Sequence, residues 1–255
     1  MNGFFTLKYE DDFLTYIDQT KLPLEEIYIK TDNYERIAEA IERLEIRGAP
    51  AIGIAAAFGV VVGLKNVKDN FKEVFEVVYE RLRITRPTAV NLFWALDEMT
   101  KVFNSCSDYN KIYEVLKTKA LEIHNNDIES CELIAENGAE LFKEDSVILT
   151  HCNTGQLATG GAGTAFAVIK KAFELGKVKF VYADETRPLL QGSRLTAFEL
   201  SKSNIPFEIL PDSAAAFLMK TRKIDAVIVG ADGNAFTVTF TWSVAVHEPE
   251  VAVTV

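Results

Sequence analysis

The strongest constraint on the fold lies in the second half of the chain. From Ser146 onward four short apolar runs occur, Val147-Ile-Leu-Thr150, Val178-Lys-Phe-Val-Tyr182, Phe207-Glu-Ile-Leu210 and Ala226-Val-Ile-Val229, separated by stretches of helical periodicity. Short apolar runs that alternate with helices at this spacing predict βαβ units around a parallel sheet. Ligands of such sheets bind beyond the carboxyl ends of the strands. Those ends carry His151-Cys152-Asn153, Ala183-Asp184-Glu185-Thr186-Arg187, Pro211-Asp212-Ser213 and Gly230-Ala231-Asp232.

The first half follows another pattern. Residues 4 to 30 alternate apolar and polar in short runs, which predicts a small antiparallel sheet with turns at Asp11-Asp12 and Pro23. From Asn33 the period becomes 3.6, with Ile37, Ala40, Ile41 and Leu44 on one face. Further helical patterns follow near 50–64, 70–83, 88–103 and 109–142. The expected architecture is α/β: an N-terminal small-sheet and helical domain over 1–143, then a Rossmann-like parallel-sheet domain over 144–255, truncated at its C-terminus.

A net charge of -10 repels nucleic acid and anionic lipid, so an anionic substrate must be held by local arginines. Three cysteines without a CxxC pair form no closed disulfide framework, and the first residues lack the basic and apolar regions of a signal peptide. Both features predict a cytoplasmic protein. Gly48–Leu64 is uncharged but contains Pro50 and four glycines, which predicts a buried core helix rather than a membrane span.

Arg47-Gly48-Ala49-Pro50 places a guanidinium just before a helix whose first N–H groups are free, the outline of an anion site. Arg86-Pro87-Thr88 repeats the arrangement, and two such arginines suit the bidentate geometry of phosphate. The alternative is a pair of arginines exposed at helix entrances. Cys152 is either an activated thiol at a strand end, beside the glycine-rich Ala158–Gly163 loop, or a small buried hydrophobe. Asp232 is either a functional carboxylate or a turn aspartate. A dinucleotide-binding reading of Gly161-Ala-Gly163 competes, with Asp184 as the acidic partner. Phe166 replaces its third glycine, and about nine residues precede Gly161 where the fingerprint needs a tight turn. His124, His151 and His247 have no metal-ligand spacing, and neither HExxH nor Gly-x-Ser-x-Gly occurs.

Taken in order, Arg47-Gly-Ala-Pro-Ala-Ile-Gly53, Arg86-Pro-Thr-Ala-Val-Asn-Leu-Phe-Trp-Ala-Leu96, Thr150-His-Cys-Asn-Thr-Gly155, Tyr182-Ala-Asp-Glu-Thr-Arg-Pro188, Gln191-Gly-Ser-Arg-Leu-Thr-Ala197 and Val229-Gly-Ala-Asp232 resemble the signature segments of the methylthioribose-1-phosphate isomerase family. The family shares its fold with regulatory subunits of translation initiation factor 2B and with ribose-1,5-bisphosphate isomerases. The resemblance implies an aldose–ketose isomerase of methionine salvage, converting 5-methylthioribose 1-phosphate to 5-methylthioribulose 1-phosphate. It implies Cys152 and Asp232 as the catalytic pair, and Arg47 with Gly48 and Ala49, Arg86 and Gln191 as substrate contacts. It further implies a homodimer with a small sugar phosphate as partner, no nucleic acid or membrane, and no metal or nucleotide cofactor. Alternatives are a related isomerase of 5-deoxyribose 1-phosphate or ribose 1,5-bisphosphate, and an inactive or regulatory homologue. After Asp232 the chain departs from the family: the expected Asn-Lys pair is absent, and Phe236, Val238, Phe240, Trp242, Val244 and Val246 alternate in strand fashion.

Overall fold

A computed structural model describes residues 3–221, 224–230, 239–241 and 252–254. The chain divides into two compact units, residues 1–128 and 129–255. The division falls inside a long helix, whereas the sequence pattern put the boundary beyond that helix, at 143/144.

The first unit opens with an antiparallel sheet of β1 (Leu7–Glu10), β2 (Phe13–Ile17) and β3 (Tyr28–Thr31), in that order. Asp11 and Asp12 both take positive φ, the left-handed geometry a two-residue hairpin turn requires and aspartate tolerates. Helix α1 (Tyr34–Glu42) starts at Asn33, whose side chain accepts the Glu35 N–H at 2.9 Å, and it buries Ile37, Ala38, Ala40 and Ile41. Helix α2 (Ala49–Leu64) is buried on nearly every side and forms the axis of this unit. Helices α3 (Phe71–Arg83) and α4 (Val90–Ser105) pack on it, and α5 (Ile112–Ala139) follows.

Glycines on α2 set how close these neighbours come. A Cβ at Gly59 would lie 2.9 Å from Leu82 Cδ1 of α3, and one at Gly63 would lie 2.7 Å from Val78 Cγ2. A Cβ at Gly53 would lie 2.7 Å from the Asn91 carbonyl oxygen of α4, an obstacle that cannot rotate away. Gly53→Val is therefore expected to lower stability by about 1–3 kcal/mol, the usual cost of overpacking. A melting temperature equal to that of the parent would show that α2 and α4 can separate freely.

In the second unit the described strands form a sheet in the order β6-β5-β4-β7-β8-β9. Strands β4 (Ser146–Thr150), β5 (Val178–Asp184), β6 (Phe207–Leu210) and β7 (Ala226–Ile228) are parallel, as their apolar runs predict. Helices α6 (Ala165–Glu174), α7 (Ala197–Lys202) and α8 (Ala215–Thr221) connect them. Ile148, Val168, Ile169, Val181, Leu200 and Ile228 lie at the centre of one buried cluster. Strands β8 (Thr239–Thr241) and β9 (Ala252–Thr254) extend the sheet from the β7 side in antiparallel sense. The alternating segment over 236–246 thus contributes β8, and the rest of it lies outside the described residues. Among the described residues no helix is long and apolar enough to cross a membrane, and Gly48–Leu64 is core.

Candidate active site

The strand order fixes where a ligand of the second unit would sit. From β4 the chain adds β5 and β6 on one side, then returns to place β7 on the other, so the topological switch point lies between β4 and β7. The Thr150 hydroxyl donates to the Ile228 carbonyl at 2.9 Å across that point. Beyond β4 come His151 and Cys152; beyond β7 comes Gly230. A Cβ at Gly230 would lie 2.5 Å from Thr154 Cγ2, so the backbone at Gly230 lies close against the Cys152 loop. Asp232 itself lies outside the described residues.

Cys152 is half-buried and free, with φ of 64°. That left-handed conformation costs a residue with a Cβ on the order of 1–2 kcal/mol and persists only where the surroundings hold it. Hydrogen bonds hold it from both sides. The Cys152 N–H donates to Thr186 Oγ1 at 2.8 Å, and the Thr196 hydroxyl donates to the Cys152 carbonyl. Thr186, also at positive φ (61°), is anchored in turn: its N–H and that of Arg187 each donate at 2.7 Å to Asp212. Those amide donors, that of Arg187 first, hold the Asp212 carboxyl below the ordinary carboxylate range.

The loop after Cys152 is organised by Glu199, a residue that sequence reasoning did not single out. Glu199 is 1% exposed and accepts from Asn153 Nδ2 at 2.7 Å, from the Gln156 N–H at 2.7 Å and from the Leu157 N–H at 3.4 Å. Gly155 leaves room for this carboxylate, because a Cβ there would lie 2.2 Å from Glu199 Oε2. Gly163, at φ of 103°, backs onto Gly155. These glycines therefore serve the closing of a loop onto a carboxylate. Gln191 begins a segment whose next residues, Gly192–Thr196, form a stretch of π-helix, a rare distortion that recurs at functional sites. Thr196, the clamp on Cys152, projects from that stretch. A Cβ at Gly192 would lie 1.7 Å from the Asp184 carbonyl oxygen, so only glycine fits where this helix crosses the end of β5.

His151 Nδ1 lies 3.0 Å from Asp184 Oδ2. Burial raises the Asp184 pKa, and the hydrogen bond from His151 works against that rise. Ligating atoms of His151, Asp184 and Asp212 lie within 4.8 Å of one another, a spacing that a cation could bridge. Asp212 already spends both oxygens on backbone N–H groups and Asp184 spends one on His151, so the cluster is a hydrogen-bonded array.

In the first unit Gly48, at φ of 94°, precedes α2, and Pro50 occupies its first turn. Arg47, Gly48, Ala49 and Arg86 are all partly exposed. Contact between Gly53 and Asn91 sets the first turns of α2 and α4 side by side. The two Arg-then-Pro segments therefore lead into adjacent helix N-termini, where N–H groups and the helix dipoles favour an anion.

The sequence profile of the Initiation factor 2 subunit family matches residues 45–237. Methylthioribose-1-phosphate isomerase of Thermotoga maritima is 50% identical over 228 residues, which cover 89% of this chain and 66% of that protein. The enzyme of the same name from Geotalea uraniireducens is 46% identical over 259 aligned positions, covering 97% of this chain and 75% of that one. The chain belongs to the methylthioribose-1-phosphate isomerase family. The crystal structure of 5-methylthioribose 1-phosphate isomerase from Pyrococcus horikoshii OT3 superposes with a TM-score of 0.85 at 38% identity, over 94% of this chain and 69% of that one. The chain thus spans 66 to 75% of the length of these family members.

Proposed function

We propose that this chain isomerises 5-methylthioribose 1-phosphate to 5-methylthioribulose 1-phosphate, a step of methionine salvage. The observation that carries the reading is Cys152, clamped at positive φ at the switch point of the parallel sheet, in a family whose members bear that enzyme's name. A sugar phosphorylated at C1 has no free aldehyde, so the bond from C1 to the ring oxygen must break before hydrogen can move from C2 to C1. Asp232 acts as the acid that protonates the ring oxygen, and Cys152 assists the transfer of hydrogen. Gln191 orients the sugar. Arg47 and Arg86, with the Gly48 and Ala49 amides, bind phosphate. The same reading carries a cytoplasmic homodimer, in keeping with Cys106, Cys131 and Cys152 forming no disulfide.

The test is turnover of 5-methylthioribose 1-phosphate by the purified chain, with 5-deoxyribose 1-phosphate and ribose 1,5-bisphosphate in parallel. The first substrate is expected to give the highest kcat/KM, and no turnover of any of the three overturns the reading. Arg47→Ala and Arg86→Ala are each expected to weaken substrate binding by roughly tenfold to somewhat over a hundredfold, the worth of one charge-assisted contact of about 1.5–3 kcal/mol. Calorimetry giving unchanged affinity in both variants removes the phosphate assignment.

A further inference from the structure

We propose that His151, held by Asp184, is the general base that takes the proton from the C2 hydroxyl of the substrate. This rests on the isomerase reading above and supplies a proton transfer which that reading leaves without an acceptor.

In the aldose 1-phosphate, C2 carries a hydrogen and a hydroxyl. In the ketose, C2 is a carbonyl and C1 has gained a hydrogen. The bond from C1 to the ring oxygen breaks and the ring oxygen gains a proton. Hydrogen leaves C2 and one arrives at C1, so C2 is oxidised and C1 reduced without an outside oxidant or reductant. The O–H bond at C2 must also break, whether hydrogen crosses as a hydride or through an enol. Asp232 gives its proton to the ring oxygen and Cys152 serves the C2-to-C1 transfer. The hydroxyl proton therefore needs a third group, and the protons gained and lost by the protein balance through solvent.

His151 has the geometry of such a group. Thr150 of β4 pairs with Ala183 of β5, so the next residues, His151 and Asp184, meet where both strands end. Asp184 is 7% exposed, while the His151 side chain is 47% exposed. With the carboxylate as acceptor, Nδ1 carries the proton and the Nε2 lone pair is left to act as base. Nε2 makes no hydrogen bond among the described residues.

The contrast with neighbouring carboxylates separates this pair from a structural contact. Asp212 and Glu199 are engaged by backbone N–H groups and hold loops in place. Among the described residues the Asp184 carboxylate holds none: its one hydrogen bond goes to the imidazole, and its Oδ1 is buried without a partner. A buried carboxylate committed to a half-exposed histidine is the arrangement that fixes a base in one tautomer. Among the described residues, the charges of Asp212 and Glu185 also act on Asp184, and both raise its pKa.

The experiment compares kcat, KM and the pH profile of kcat for the parent chain, His151→Gln and Asp184→Asn, with 5-methylthioribose 1-phosphate as substrate. His151→Gln is expected to lower kcat about a hundredfold, with KM changed by less than about threefold, and to remove the acid limb of the kcat profile. Asp184→Asn keeps the ring but not its tautomer, and is expected to lower kcat by a smaller factor. Parental kcat and pH profile in His151→Gln overturn the inference and leave the isomerase reading standing. So does a parental profile without an acid limb, a measurement that needs no variant to fold. Turnover lost on chelation and restored by a divalent cation also overturns it, because the ring would then be a ligand. A parent chain that turns over none of the sugar phosphates overturns both readings together.

Discussion

Cys152→Ala is expected to lower isomerisation about a thousandfold or more while leaving the fold intact. The side chain is half-buried and lies outside the main apolar cluster, so its loss removes little core volume and costs under about 1 kcal/mol. The contacts that fix this residue are made by its backbone N–H and carbonyl, and alanine keeps both. Only the thiol is lost. Cys152→Gly sharpens the comparison, since glycine takes positive φ without the Cβ penalty. The glycine variant should melt no lower than the alanine variant and be equally inactive. Circular dichroism, thermal melting and turnover on all three proteins decide the matter. Residual activity within tenfold of the parent in either variant would remove Cys152 from the chemistry, and a collapsed fold in both would make it a packing residue.

The largest expected loss of stability is at Glu199. Its carboxylate is buried and receives the Asn153 amide and the Gln156 and Leu157 N–H groups. Glu199→Ala leaves those donors in a space too dry to hydrate them, and each unsatisfied buried donor costs about 1–3 kcal/mol. A total near 3–5 kcal/mol is expected, in line with the breaking of a buried charged network. Turnover should fall with it, because the loop that loses its anchor begins at Cys152. Denaturant unfolding reads the first effect and kcat at low temperature the second. A midpoint within experimental scatter of the parent would mean that water replaces the carboxylate, and that the loop stands without it.

The strands of the parallel sheet were legible because each is a short, mostly apolar run between helical stretches; β4, β5, β6 and β7 coincide to within two residues with the runs at 147–150, 178–182, 207–210 and 226–229. The hairpin turn was legible at Asp11-Asp12, where composition and geometry agree. Helix α2 was legible as core because Pro50 and the glycines interrupt what would otherwise pass for a span. The candidate site was legible only as separate strand ends and helix entrances. The pairing of His151 with Asp184 crosses 33 residues and depends on the β4–β5 register, which no local pattern encodes. Glu199 reads as one polar residue in a helical stretch, and its role follows from a loop 42 to 46 residues earlier. The one local trace of it is Gly155, whose missing Cβ makes space for a carboxylate that sequence alone does not name.

The glycines of α2 have an evolutionary consequence. Gly59 and Gly63 touch Leu82 and Val78 so closely that neither side can grow alone. A descendant of this chain can place alanine at position 63 with little penalty only where position 78 has already shrunk, and the same coupling joins 59 to 82. Gly53 has no such escape, because the atom facing it belongs to the backbone of Asn91, and a carbonyl cannot be exchanged for a smaller one. Two of these positions can therefore drift as compensated pairs, while the third stays fixed for as long as α4 keeps its place.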